Sequence, residues 1–144
     1  MAVTTVFFND YKEKILNGNA PDLDTDTIKV ALCTSSYTPS IDNHDYFNDI
    51  TNEVVATGYT AGGATLASKA VVQDNTNDKA TFDAADVTWA TSTITARYAI
   101  IYKSTGTAST SQLIAYVDFG ADKSSDGDNF IISWDATNLI FGLS

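Results

Sequence analysis

Residues 96–134 read ARYAIIYKSTGTASTSQLIAYVDFGADKSSDGDNFIISW, and this stretch decides the fold. It holds three strand-like runs, Ala96–Lys103 (ARYAIIYK), Gln112–Phe119 (QLIAYVDF) and Asn129–Trp134 (NFIISW). The first gap, STGTASTS, is a polar loop. The second, Gly120–Asp128, is an acidic loop containing the turn pair Asp126-Gly127. Neither gap carries the 3.6-residue periodicity of a crossover helix, so neighbouring strands must run antiparallel. Strands at this spacing, joined by turns, predict a mainly β fold: an antiparallel β-sandwich or barrel.

Upstream the same pattern continues. Thr27–Thr34 (TIKVALCT) alternates, with Ile28, Val30 and Leu32 on one face. Ser68–Gln73 and Lys79–Asp83 flank Asp74-Asn75-Thr76-Asn77-Asp78, a run of turn formers that reads as a hairpin loop. Val87–Ala90 alternates as a further short strand, and an apolar run, Leu139-Ile140-Phe141, closes the chain. Only residues 5–17, TVFFNDYKEKILN, have a helical stripe: Phe7, Tyr11 and Ile15 recur every fourth residue, and Gly18 follows as a natural stop. The expected organisation is one short N-terminal helical arm over residues 1–20 and a single β domain over 21–144. The apolar face of the helix has two destinations, the domain itself or a neighbouring subunit.

The composition excludes several functions. A chain of 144 residues is one domain, and can bury roughly 68–70% of its unfolded surface without disulfides or metal. The lone Cys33 allows no internal disulfide and no cysteine-based zinc site, and reads as a small buried hydrophobe. Net charge is −10, with only eight Lys plus Arg, so there is no basic stripe to release counterions from nucleic acid. The acids are almost all Asp, a residue of turns and caps rather than helix interiors. No apolar run is long enough to span a membrane. The N-terminus lacks a basic segment followed by an apolar one, so the expectation is synthesis in the cytoplasm without secretion.

No catalytic constellation stands out: Asp is so abundant that a carboxylate pair for glycoside hydrolysis, whose separation a sequence does not give, carries no signal. A serine hydrolase needs a histidine base and an oriented nucleophile; the only histidine, His44, lies in the polar phrase IDNHDYF, and no Gly-x-Ser-x-Gly elbow occurs. Asp22-x-Asp24-x-Asp26 begins like a calcium loop but has Thr27 and Cys33 where glycine and glutamate are required. ATGYTAGGATL (Ala56–Leu66) has three clustered glycines, yet no Lys-Ser/Thr pair and no helix follow, so a phosphate cradle fails. Gly58, Gly62 and Gly63 instead read as a structural bend entering a strand at Ala64–Val72, with Tyr59 packing there or at an interface. The expectation is a non-enzyme without cofactor or metal.

Candidate contact residues lie in two segments. The N-terminal helix offers Phe7, Phe8, Tyr11 and Ile15. The long polar segment 35–54 carries Tyr37, Tyr46 and Phe47, and a loop of that length inside a compact domain is usually functional. Arg97, the only arginine, is expected to form a bidentate pair with an Asp, internally or across an interface. Trp89, Tyr98, Tyr102 and Trp134 occupy strand positions and read as core. Exposed ring pairs among Tyr37, Tyr46 and Tyr59 would instead suit a sugar-binding module.

Two blocks resemble a known family. Val30–Leu66 (VALCTSSYTPSIDNHDYFNDITNEVVATGYTAGGATL) resembles a block of small virion structural proteins of tailed bacteriophages, and Ala80–Gly120 (ATFDAADVTWATSTITARYAIIYKSTGTASTSQLIAYVDFG) is similar to its second block. The phrases TNEV…GYTAGG and DVTWATSTITARYA carry the resemblance. It implies a non-enzymatic particle protein, specifically a capsid decoration (cement) protein on the capsid exterior. Its implied partners are the major capsid protein and further copies of itself, with a trimer favoured, and neither nucleic acid nor membrane. A tail, neck or fibre component is the alternative within the same particle.

Overall fold

The computed structural model describes residues 3–134 and 140–144. Leu139, expected in the closing apolar run, lies outside them. The described chain is mainly β, with one α-helix and every strand pair antiparallel, in sandwich form rather than a closed barrel.

The centre is a five-stranded sheet. Its middle strands are β2 (Ile28–Cys33), β7 (Thr95–Lys103) and β8 (Leu113–Ser124), flanked by β1 (Thr4–Phe7) beside β8 and β3 (Ala64–Thr65) beside β2. β2 pairs with β7 from Ile28↔Lys103 to Cys33↔Tyr98, and β7 pairs with β8 from Thr95↔Ser124 to Tyr102↔Leu113. The inner face and much of the outer face of this sheet are covered, so β2 and the C-terminal half of β7 are buried along nearly their whole length. On the inner face Ile28, Val30, Leu32, Ala99, Ile101 and Val117 meet a second layer. That layer comprises β4 (Ala70–Asp74), β5 (Lys79–Asp83) and β10 (Phe141–Leu143) in one sheet, and β6 (Val87–Ser92) with β9 (Asp128–Ile132) in another. Phe82, Val87, Trp89, Phe130, Ile132 and Phe141 fill the space between layers. Each fully buried aliphatic or aromatic side chain contributes about 1.5–3 kcal/mol relative to exposure.

The N-terminal segment corrects the expected helical arm. Thr4–Phe7 is a strand, paired with β8 from Thr4↔Asp118 to Phe7↔Ala115, and helix α1 covers only Asn9–Asn17. Sheet pairing overrides the helical stripe here because Thr-Thr-Val-Phe favours a pleated surface beside a strand edge. Phe8 is extended at the corner (φ −72°, ψ 145°) and donates its backbone N–H to Ile114 O at 3.1 Å. Gly18 ends the helix in the left-handed region, as its position suggested. The segment is therefore part of the main sheet rather than an appendage.

Two other boundaries shift. The strand expected over Ala64–Val72 is split into β3 and β4, and β8 runs on to Ser124, shortening the acidic loop to Ser125–Gly127. β4, β5 and the hairpin turn between them lie close to their expected places.

Candidate contact surface

The segment after β2 is pinned at both ends. Thr34 N donates to Asn52 O (3.0 Å), and Val54 N donates to Leu32 O (2.9 Å), so the chain leaves and rejoins β2 at nearly the same point. Between these points it lies over the outer face of the main sheet, an Ω-type arrangement. Phe47 stacks on Tyr102 with centroids 4.2 Å apart, and Ile41 and Ile50 pack on the cluster formed by Phe8, Ala31, Cys33, Tyr37, Ile100, Tyr102 and Leu113. Tyr37 is 1% exposed, and its hydroxyl bonds His44 Nδ1 at 2.8 Å. Tyr46 is held from two sides: Asp49 Oδ2 accepts its N–H at 3.0 Å, and Lys14 of α1 sits 5.0 Å over its ring. The loop is thus the second cover of the sheet, which explains its aromatic insertions.

This changes the standing of several expected contact residues. Phe8, Tyr11 and Tyr37 are buried within the chain, so they offer no surface to a partner. Phe7 and Ile15 are half-buried against the inner core, Phe7 meeting Phe141 edge-on at 4.8 Å. Tyr59 is half-buried, and its ring lies near Trp89. Of Tyr37, Tyr46 and Tyr59, no two present open faces for a sugar, because each is fixed under or beside its own neighbours.

The loop leaves part of the outer face uncovered. There β7 and β8 bring together Arg97, Tyr98, Tyr116 and Asp118. Arg97 Nε donates to Asp118 Oδ1 at 2.6 Å and Nη2 donates to Oδ2 at 3.3 Å, the bidentate pair expected for the only arginine. The Arg97 guanidinium lies 5.6 Å from the Tyr98 ring centroid, and Tyr98 meets Tyr116 edge-on at 6.2 Å. Both tyrosines are half-buried. Hydrogen bonding from Arg97, aided by the Gly120 N–H, holds the Asp118 carboxyl below its usual range. Burial raises the Tyr116 phenol. Tyrosine and arginine on a firm, half-desolvated base are the residue types that carry binding energy at protein interfaces. Tyr98, expected in the core, and Tyr116, unremarked in the sequence, belong to this face; their meeting depends on strand register, which a single sequence does not print.

The glycine-rich phrase has a structural explanation. Glu53 Oε1 accepts both the Tyr59 hydroxyl (2.7 Å) and the Gly62 N–H (2.6 Å). Tyr59 Oη accepts the Leu32 N–H at 2.9 Å, and the Tyr102 hydroxyl donates to Gly62 O at 2.6 Å. Burial drives the Tyr59 phenol far upward and raises Tyr102 to about 12. Gly63 has φ +71°, and a Cβ there would stand 1.9 Å from Val30 O. Gly58 lies against Ser92 in the same way, a Cβ falling 2.7 Å from its Cβ. These glycines allow backbone to press on backbone.

The acidic connector is likewise organised by its own chain. Asp22 Oδ1 accepts the N–H groups of Asp24 (3.0 Å) and Thr25 (3.2 Å), and Asp26 Oδ2 pairs with Lys103 at 2.8 Å. Among the described residues no group of three or more His, Cys, Asp or Glu is gathered to hold a metal, and no helix is long and apolar enough to cross a membrane.

No protein-family model, no curated protein and no solved structure matches this chain. The fold class and the candidate contact face therefore rest on its own residues.

Proposed function

We propose that this chain is a non-enzymatic structural protein of a tailed-phage particle: a capsid decoration protein that binds the assembled head from outside and stabilises it. The two resembling blocks carry the reading, and their arrangement in the fold supports it. Glu53, Tyr59 and Gly62 of the first block are bonded to one another, the Tyr102 hydroxyl of the second block donates to Gly62 O at 2.6 Å, and Thr93 N donates to Thr57 O at 3.0 Å. The resembling phrases thus meet as one structural unit, in keeping with a binding module. The Arg97–Tyr98–Tyr116–Asp118 face is the contact assigned to the major capsid protein or to a sister subunit of a homo-oligomer, a trimer being favoured.

The mechanism is mass action. A protein that binds the closed shell and not its dissociated subunits lowers the free energy of the shell by RT ln(1 + [L]/Kd), about 2.7 kcal/mol per site at a hundredfold excess over Kd. An acidic exterior also keeps decorated particles dispersed. Particles made without the protein test this. The reading expects heads that assemble but release DNA at lower temperature or after osmotic shock, with resistance restored by adding purified protein. Unchanged resistance would remove the decoration role.

A further inference from the structure

β4 is the last strand of the β10–β5–β4 sheet, and no strand pairs with its outer edge among the described residues. Its side chains are bare as well, Val71 being 45% exposed and Val72 53%. An open edge carrying exposed valines is a template for pairing with another chain.

The run Asp22-x-Asp24-x-Asp26, which begins like a calcium loop, lies against this edge. Its outer two residues tie the turn to itself. Asp22 Oδ1 accepts the N–H groups of Asp24 and Thr25, Asp26 Oδ2 accepts the Asp22 N–H at 2.9 Å, and Asp26 N donates to Asp22 O at 2.9 Å. Asp26 is anchored in turn by Lys103 and by Lys69, whose Nζ donates to the Asp26 carbonyl O at 2.6 Å. The middle residue is thereby presented to β4, where Asp24 Oδ1 accepts the Val71 N–H at 2.9 Å. Val71 therefore turns its backbone polar groups away from β5. By antiparallel alternation Val72 turns its own toward β5, and Gln73 faces outward again.

We infer that Asp24 is an autoinhibitory edge guard: its carboxylate caps the outer edge of β4 and keeps it from pairing with β4 of a second copy. The strand itself specifies that occupant. About a two-fold axis at Val72, β4 matches β4 antiparallel: Val71 and Gln73 of one copy face Gln73 and Val71 of the other, and Val72 meets Val72 across the axis. Asp74 then faces Ala70, so no like charges stand opposite each other within the strands. Asp24 opposes this pairing twice, by taking the Val71 N–H and by bringing a carboxylate from each copy to the junction. Two five-residue strands fall short of the roughly 1,200 Å² that a stable interface buries, so one hydrogen-bonded carboxylate is guard enough.

Sedimentation velocity of the intact protein over a concentration series tests this. Asp24 is exposed, so Asp24→Ala should keep the tryptophan fluorescence of the folded protein. It should self-associate about tenfold or more tightly than the wild type, with amide exchange at Val71 and Gln73 slowing as concentration rises. Adding Val72→Lys, which sets like charges opposite at the axis, should return Asp24→Ala to wild-type behaviour. The inference is overturned if Asp24→Ala associates no more than the wild type, if Val72→Lys fails to reverse its association, or if the new protection falls outside β4. A homo-oligomer formed through the Arg97 face would protect β7 and β8 instead, so the two contacts are read separately and either can fail without the other.

Discussion

Replacing Gly63 by alanine isolates the physical role of the glycine-rich phrase. At φ +71° an L-residue costs about 1–2 kcal/mol from backbone sterics alone. The added Cβ would also stand 1.9 Å from Val30 O and 2.6 Å from Ala31 Cα, both main-chain atoms of central strand β2 that no rotamer change can move aside. Forcing such a site apart adds about 1–3 kcal/mol, for a total of about 2–5. Gly106 is the control, because its φ is +86° and a Cβ there meets nothing within 4 Å. Gly62→Ala falls between them, its neighbours being the mobile tip of Lys29 at 3.3 Å and the Tyr102 hydroxyl at 3.4 Å. Urea unfolding followed by tryptophan fluorescence reads the series. With a slope of about 1–3 kcal/mol per molar, Gly63→Ala should lower the midpoint by about 1–3 M, and Gly106→Ala by about half as much. Equal losses at Gly63 and Gly106 would refute the backbone-contact reasoning, leaving only the conformational cost they share.

Four further outcomes follow from the same structure. Tyr59→Phe leaves the buried Leu32 N–H and one Glu53 bond unmet, and should cost about 1–3 kcal/mol in the same urea assay. Cys33 is fully buried and its thiol is raised to about 12 by burial, so a thiol reagent at neutral pH should label it only after unfolding. Burial raises the phenols of Tyr11, Tyr37, Tyr59 and Tyr102 above their unfolded value of 10.0. Their contribution is complete below that pH and is lost as pH rises above it, so tyrosinate absorbance and unfolding should appear together in base. Arg97→Ala and Tyr116→Ala should each weaken binding to decoration-free heads about tenfold, measured by co-sedimentation, while Arg97→Ala leaves the urea midpoint nearly unchanged.

The sequence displayed most of the β architecture, and the reason is burial. β2, β7 and β8 are covered on one or both faces, so alternation and apolar runs mark them with little competition from other signals. The N-terminus misled because Phe7, Tyr11 and Ile15 do face one core, but Phe7 reaches it from a strand and the other two from a helix. Spacing alone cannot separate these when the chain turns a corner at Phe8. The candidate contact face was legible only through Arg97, since its neighbours Tyr98, Tyr116 and Asp118 converge by register and by the bulge between Ala96 and Tyr98. Tyr37 looked like a loop aromatic available for contact and is instead the centre of the loop's own packing on Tyr98 and His44. Removing residues 1–17 is consequently no test of binding by an arm: it deletes β1, exposes one edge of β8 and strips Phe8 and Tyr11 from the core, so unfolding is the expected result.

The central claim concerns location. A cryo-EM map of the intact particle, at a resolution that traces β-strands, addresses it most directly. The account predicts density for this sandwich on the outer surface of the head, at sites where capsid subunits meet, with the Arg97–Tyr98–Tyr116–Asp118 face turned toward a protein neighbour. Density confined to the tail, neck or fibres, or a head exterior bare of it, would contradict the account.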